Sequence, residues 1–284
     1  MRILVLGVSG VLGSAMLQVL AKGQRHEVFG SSRSAWVKNF LPPKVADNVI
    51  IGIDVESVDM LTRLFSRVQP DVVINCVGLV KQLAEADNPL LALPINSLLP
   101  HRVACLCEMA RARLIHFSTD CVFSGKKGSY LENDVPDAMD LYGRTKLLGE
   151  VDYPHAITLR TSLIGHELNG TRSLVNWFLA QEGSVRGYTK AIFSGLPAVE
   201  IARVIEKYVL PHPELHGVYY LSADPIIKHD LLSIVKDVYS KQVEIIPDDS
   251  LVIDRSLDSS RFCHTTGFVP KAWPELVKAM HDFG

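Results

Sequence analysis

The sequence predicts an α/β fold: a doubly wound parallel sheet, with a smaller and less regular part in the C-terminal half. Three observations carry this expectation. The chain opens with an apolar run from Ile3 to Leu6, then three glycines at three-residue spacing (Gly7, Gly10, Gly13), then a helical stretch from Ala15 to Leu20. Short apolar runs suited to buried parallel strands alternate with helical segments through the first 160 residues. At 284 residues, 48% apolar and 21% charged, the chain can bury a sizeable core.

Each element has its own reason. Glycine lets the first turn be tight and lets a pyrophosphate approach the backbone, and the helix that follows offers free N–H groups and the positive end of its dipole. The spacing G-x-x-G-x-x-G differs from the common G-x-G-x-x-G fingerprint. The strand–turn–helix context is nevertheless the one in which glycines point to a dinucleotide. Gly7, Ser9, Gly10, Val11, Leu12 and Gly13 are therefore candidates to line its phosphates. The same stretch has the outline of a secretory signal. A single arginine, three interrupting glycines and no clear cleavage site weigh against that.

A second strand is expected over 28–31, after a helix ending near Gly23. Its tip reads Gly30-Ser31-Ser32-Arg33, without the carboxylate that reads a ribose 2′-hydroxyl. Ser32 and Arg33 suit a 2′-phosphate instead, which favours NADP(H) over NAD(H). A solvated surface arginine is the plainer alternative. A third strand over 49–53 is closed by Asp54 and Val55, and a helix follows over 58–68. The next strand ends in Asn75-Cys76-Val77-Gly78, and strand ends are where open α/β sheets bind ligands. A helix is expected over 96–111, with Asn96 near its start as a cap or a site residue. A fifth strand over 114–117 runs into Ser118-Thr119-Asp120.

Past residue 160 the rhythm weakens. A loop is expected over 165–170, helices over 174–180, 200–209 and 231–239, and strands over 218–221 and 243–246. The expected organisation is a dinucleotide-binding domain of Rossmann type over 1–160 and a substrate-binding part over 161–284, with 217–222 returning as a strand of the main sheet.

Composition narrows the function classes. A formal charge of −2 argues against nucleic acid or a membrane surface as a partner. No run approaches the roughly 18–20 uninterrupted apolar residues of a spanning helix. Five cysteines (Cys76, Cys105, Cys107, Cys121, Cys263) fit neither a zinc pattern nor a disulfide framework, so reduced thiols and a cytoplasmic home are expected. His101, His116, His166 and His264 show no metal spacing, and no metal site is expected.

The chemistry centres on Tyr142 and Lys146. Four residues apart on a helix, they share one face. A cation beside a phenol lowers its pKa and makes it a usable general acid. Alone, such a pair reads more plainly as a solvated helix face. Thr119, at the end of a strand, offers a hydroxyl to the same carbonyl and tips the balance.

Gly7, Gly10 and Gly13, Asn75, the run Ser118-Thr-Asp-Cys-Val-Phe-Ser-Gly125 and the Tyr142/Lys146 pair together resemble the extended short-chain dehydrogenase/reductase family. Within it the chain is most similar to the dTDP-4-dehydrorhamnose reductase group. The group's Ser-Thr-Asp-Tyr-Val-Phe is matched at 118–123 except for Cys121, and its Tyr-Gly-x-(Ser/Thr)-Lys-x-x-Gly-Glu at 142–150. Leu159-Arg-Thr-Ser162 resembles its next strand, and Arg255-Ser-Leu-Asp258 its late Arg-Pro region. Departures are Gln82-Leu-Ala-Glu-Ala86 where the group has Val-Asp-Lys-Ala-Glu, and Leu163 where it has tryptophan.

The resemblance implies roles. Lys146 would hydrogen-bond the nicotinamide ribose, Tyr142 would donate the proton, and Thr119 would polarise the carbonyl. Asp54 and Val55 would lie near the adenine. Asn75, Cys76, Val77, Gly78, Asn96 and Ser118 would line the cofactor trough. Thr119, Asp120, Val122, Phe123, Tyr142, Asn176 and Trp177 would face the substrate, with Arg255 reaching its diphosphate. The implied activity is NADP(H)-dependent reduction of a nucleotide-activated keto sugar, with NAD(H) as the other cofactor and a homodimer allowed. Two other readings stay open: a catalytically silent NADP-binding regulatory subunit resembling the methionine adenosyltransferase beta subunit, and a nucleotide-sugar epimerase or dehydratase.

Overall fold

The computed structural model describes residues 1–81 and 84–284. Along the chain run strands β1 (Arg2–Leu6), β2 (Glu27–Ser32), β3 (Val49–Ile51), β4 (Val72–Asn75), β5 (Arg113–Thr119), β6 (Ala156–Thr161) and β7 (Leu163–Ile164). They continue as β8 (Ser184–Tyr188), β9 (Ala191–Phe193), β10 (Leu196–Pro197), β11 (Gly217–Tyr220), β12 (Ile226–Ile227), β13 (Glu244–Asp248) and β14 (Ile253–Asp254). The helices of the first half are α1 (Val11–Lys22), α2 (Pro43–Ala46), α3 (Val58–Val68), α4 (Pro89–Ala92), α5 (Leu99–Ala110) and α6 (Leu141–Leu148). Those of the second half are α7 (Leu174–Ala180), α8 (Ala198–Val204), α9 (Lys228–Val238), α10 (Ser260–Thr266) and α11 (Trp273–His281).

The main sheet has seven strands in the order β11-β6-β5-β4-β1-β2-β3, all paired in parallel. Its central strands β1 and β4 carry apolar runs without alternation because both faces are covered. In β1, Ile3 and Val5 join one core layer, with α1 and α8 residues such as Met16, Leu17 and Ile201. Leu4 and Leu6 point the other way, into a layer with Leu61, Leu64 and Phe65 of α3 and Val103 and Cys107 of α5. The strand order reverses between β4, β1 and β2, so the carboxyl ends of β1 and β4 open the crevice where such sheets hold ligands.

Local signals set the helix ends. Ser57 caps α3 by accepting from the Met60 amide at 3.3 Å. The helix expected from Asn96 begins earlier, at Pro89, where Asn88 caps it by accepting from the Leu90 amide at 3.0 Å. It runs unbroken to Ala110 through a wide π-helical turn, Leu93–Leu98. Pro94 lies in the first turn of that wider segment and Pro100 in the first turn of α5, where the register change absorbs the missing N–H. Asn96 is thus a mid-helix residue, not a cap. By length and composition this 22-residue helix, whose most apolar 18-residue stretch has a mean hydropathy of 1.4, is apolar enough to span a membrane. It packs on β4, β5, α3 and α6, and 44% of its most apolar stretch is buried inside the fold.

In the second half, Gly217–Tyr220 pairs with β6 and is the outer strand of the main sheet. A small sheet places β9 between antiparallel β12 and parallel β14. The short strands β9, β12 and β14 and helices α10 and α11 are additions to the elements expected from sequence. The departure from the family run at Gln82 and Leu83 lies outside the described residues.

Candidate active site

The glycine turn is built as a cradle. Gly7 sits at φ +82°, a conformation that favours glycine. The amides of Gly7 and Val8 donate to the Ser31 carbonyl at 3.2 and 3.1 Å, tying the turn to β2. A Cβ on Gly13 would overlap the Gly7 carbonyl oxygen, whereas a Cβ on Gly10 would make only ordinary contact with that oxygen at 3.6 Å. Gly10 is the N-cap of α1 and offers no side-chain bond, and Ser9 and Gly10 are exposed. The first N–H groups of a 12-residue helix therefore face open space of the kind a phosphate fills. Leu12 is buried beneath the turn and Val11 is half-buried at its edge.

The neighbouring strand tips complete a trough. Ser32 is buried, its hydroxyl donating to the Ser34 carbonyl at 3.1 Å. Arg33 projects from the same tip and is exposed. Asp54 is exposed and accepts from the Glu56 amide at 3.0 Å, while Val55 is buried. Asn75 is buried, accepts from the Val77 amide at 3.1 Å and sits 3.2 Å from Nδ1 of His116. Burial pushes the Cys76 thiol well up, so it stays protonated. Asn96 braces the following loop: its Oδ1 accepts from the Leu79 amide at 2.9 Å, and its Nδ2 donates to the Leu79 carbonyl at 3.2 Å and to the Thr145 hydroxyl at 3.3 Å. A Cβ on Gly78 would lie 3.9 Å from the Lys146 ammonium, and one on Gly7 would press on Val77 at 2.9 Å. The loop after β4 thus joins the glycine cradle to the Tyr142/Lys146 helix.

That helix, α6, is capped by Asp140, which accepts from the Gly143 amide at 2.8 Å. Thr119, at the end of β5, accepts from the Cys121 amide at 3.1 Å, donates to Asp120 at 3.2 Å and lies beside Tyr142. Burial pushes the Tyr142 phenol well up, and Cys121, Asp120 and Asp140 push the same way, while Thr119 opposes them. The expected lowering by Lys146 is not what this fold displays. The Lys146 ammonium donates instead to the Phe117 carbonyl at 2.7 Å. Burial brings Lys146 down to about 8, against Glu150 and Cys76, which favour its charge. Tyr142 is accordingly held as a protonated phenol, the form a proton donor needs.

A buried network fixes this arrangement. The Glu150 carboxylate accepts from the Ser118 hydroxyl at 2.6 Å and from both Nε and Nη2 of Arg160 at 2.7 Å. Arg160 Nη1 donates to the Tyr220 hydroxyl at 2.7 Å, which donates to the Leu131 carbonyl at 2.9 Å. Burial works against the Arg160 charge, but its bonds to Glu150 and Tyr220 hold the guanidinium above its ordinary range. The network ties β5, β6 and β11 together directly behind Thr119.

On the open side, Val122 and Phe123 are buried, Phe123 stacking on Tyr130 with ring centres 4.0 Å apart. Cys121, where the resembling group has tyrosine, has its thiol pushed up to about 12, chiefly by burial. Arg255 donates from Nε to the Phe123 carbonyl at 2.7 Å and from Nη1 to the Cys121 sulfur at 3.6 Å. Burial raises Asp120, with Arg255 and Lys228 among the groups that counter it. Asn176 has its amide engaged in its own loop, accepting from the Glu167 amide at 3.1 Å and donating to the Gly170 carbonyl at 3.1 Å. Trp177 is 36% exposed, so it is not a core aromatic. Among the described residues no group of three or more His, Cys, Asp or Glu could hold a metal ion.

Sequence reasoning passed over Glu150, Arg160 and Lys228 as site residues. The first two stand inside quoted motifs, and their opposite charges on buried elements were an available signal. Lys228 follows the apolar pair Ile226-Ile227 with no local signal, because only the fold-back of the second half brings it to Asp120.

The family model for the RmlD substrate binding domain matches residues 1–282. The chain is 32% identical over 178 residues to the probable low-salt glycan biosynthesis reductase Agl14 of Haloferax volcanii, covering 61% of this chain and 57% of that protein. It is 24% identical over 310 residues to a dTDP-4-dehydrorhamnose reductase of Aggregatibacter actinomycetemcomitans, covering 99% of both. Among solved structures it is similar to the dTDP-4-dehydrorhamnose reductase of Bacillus anthracis in complex with NADP, with TM-score 0.80, 20% identity and 99% of both chains covered.

Proposed function

The chain belongs to the RmlD substrate binding domain family, and from that premise we propose that it is an NADP(H)-dependent reductase of a nucleotide-linked keto sugar. The observation that carries the reading is the Thr119/Tyr142 pair beside the buried Lys146, set one loop away from an open glycine cradle. The relatives named as dTDP-4-dehydrorhamnose reductases and the Bacillus anthracis complex with NADP support the substrate and cofactor classes.

The residues present fit the cofactor. The free N–H groups at Val11 to Gly13 would take the pyrophosphate. Arg33 would pair with the 2′-phosphate and Ser32 would shape its seat. Asp54 and Val55 would border the adenine, and Asn75 to Gly78 would line the nicotinamide half. Lys146, already poised as a buried donor, would hold the ribose. When bound, the reduced nicotinamide supplies a hydride to the carbonyl carbon.

The chain's own part is the proton. The Thr119 hydroxyl orients the keto oxygen and offers it a hydrogen bond as negative charge develops. Tyr142 gives its phenolic proton to that oxygen, completing the alcohol. Burial, joined by Cys121, Asp120 and Asp140, keeps the phenol protonated beforehand, so the donor is loaded when substrate arrives. Arg255, anchored on Phe123, presents its remaining N–H groups toward the substrate's diphosphate.

Replacing Tyr142 by Phe tests this directly. The variant should bind NADPH as the wild type does while its turnover falls by about 10²–10⁴-fold, the usual worth of a positioned acid. Undiminished turnover would remove Tyr142 as the donor.

A further inference from the structure

Lys228 is the first residue of α9 and directly follows β12. Arg255 directly follows β14. Both strands pair with β9, and Ile192 faces Ile227 on one side and Asp254 on the other. The register therefore sets Lys228 and Arg255 just past the strands flanking β9, two strand spacings apart across the sheet and two residues apart along it, or roughly 12 Å at the backbone. Their long side chains converge on the Thr119–Phe123 turn. Arg255 touches Phe123 and Cys121, and Lys228 lies within the field of Asp120, Cys121 and Arg255.

The donors there are incompletely used. Two of the five guanidinium N–H groups of Arg255 are engaged, one with the Phe123 carbonyl and one with the Cys121 sulfur. Lys228 is half-buried. Among the described residues it makes no hydrogen bond or ion pair. A lysine at the start of an 11-residue helix also sits against the helix dipole, where a cation is disfavoured. Lys228 and Arg255 both act on the buried carboxyl of Asp120, and Arg255 acts on Asp140 as well. A bound anion would engage the spare donors and offset the dipole at once.

We propose that Lys228 and Arg255 together form an anion seat for the diphosphate of the nucleotide-linked substrate, with Lys228 as its second cation. The proposal rests on the reductase reading for the identity of the anion, but the seat is defined by the residues themselves. Lys228 is a binding residue and takes no part in the proton transfer. It acts as a point charge on the phosphate oxygens, and Arg255 supplies the directional contacts.

The test is calorimetric titration of the protein, saturated with NADP⁺ so that the glycine cradle is filled, with inorganic pyrophosphate and with dTDP. Lys228→Gln should weaken both by about tenfold or more, the worth of a charge-assisted hydrogen bond. Lys228→Arg should restore most of that affinity, and NADP⁺ affinity and Tm should stay at wild-type values in both. In turnover, Lys228→Gln should raise KM with little change in kcat. Wild-type affinity for both anions in Lys228→Gln would overturn the seat, as would a wild-type protein that binds neither. An unchanged KM in Lys228→Gln would overturn it while leaving the reductase reading intact. Pyrophosphate binding that is lost in Lys228→Gln, in a protein that reduces no sugar nucleotide, would support the seat and sink the reductase reading.

Discussion

Two glycines three residues apart should respond to the same substitution in opposite ways. At Gly13 an added Cβ overlaps the Gly7 carbonyl oxygen, a backbone atom that cannot rotate away. Overpacking of this kind costs about 3 kcal/mol when nothing can give, and replacing a helical glycine by alanine returns about 1 kcal/mol. The net loss of about 2 kcal/mol corresponds to a fall in Tm on the order of 6 °C for a chain this long. At Gly10 the added Cβ meets the same oxygen at 3.6 Å, an ordinary contact, with φ −85° and ψ 163° open to any residue. Only the loss of a favoured N-cap residue remains, about 0.5–1 kcal/mol. The methyl group there stands in the space assigned to the pyrophosphate. Gly10→Ala should therefore keep a Tm within about 3 °C of wild type yet weaken NADPH by more than about tenfold, or 1.4 kcal/mol. The assays are differential scanning calorimetry and fluorescence titration of NADPH. Gly10→Ala binding NADPH at wild-type affinity would refute the cradle, and a Gly13→Ala protein as stable as the wild type would refute the steric reasoning.

Two further predictions concern residues near the cofactor and behind the site. Arg33→Ala should weaken NADPH by about tenfold or more, as expected for a lost charged hydrogen bond, and leave NADH unchanged; titration with both cofactors decides, and equal losses would mean that Arg33 reads no 2′-phosphate. Glu150→Ala leaves the Arg160 guanidinium, only 6% exposed, without its carboxylate, which should cost about 3–5 kcal/mol and lower Tm on the order of 10 °C; a calorimetric Tm within 2 °C of wild type, to be read with about 1 °C precision, would contradict the network's role.

The parts of the fold that were legible are those written locally. The glycine turn announces itself within one or two turns of chain, and helices over 58–68 and 174–180 stand where the sequence places them. Apart from Arg2 and Asn75 at their ends, β1 and β4 are apolar because both faces are covered. What was hidden depends on distant partners. Strands β9, β12 and β14 are three, two and two residues long and exist only because they pair with one another, so no periodicity could mark them. Asn96 reads as a polar residue near the start of a helix, a cap or a site residue. In the fold a π turn carries the helix through Pro94, and the asparagine braces the loop at Leu79. At the site, the Tyr142/Lys146 spacing was visible, but the direction of the tyrosine's shift was not. It is set by burial and by Cys121 and Asp120, which lie more than 20 residues away in sequence. Lys228 was invisible for the same reason, since nothing near it in the chain indicates that it will meet Asp120.

The measurement that bears most directly on the central claim is NADPH oxidation at 340 nm, the absorbance of reduced nicotinamide, against dTDP- and UDP-linked 4-keto sugars, run in parallel with wild type and Tyr142→Phe. The account predicts turnover of at least one such sugar by the wild type, and its loss in the variant with NADPH affinity retained. Tight NADPH binding with no turnover of any member of the panel would contradict it and would point instead to a cofactor-binding subunit that acts through a protein partner.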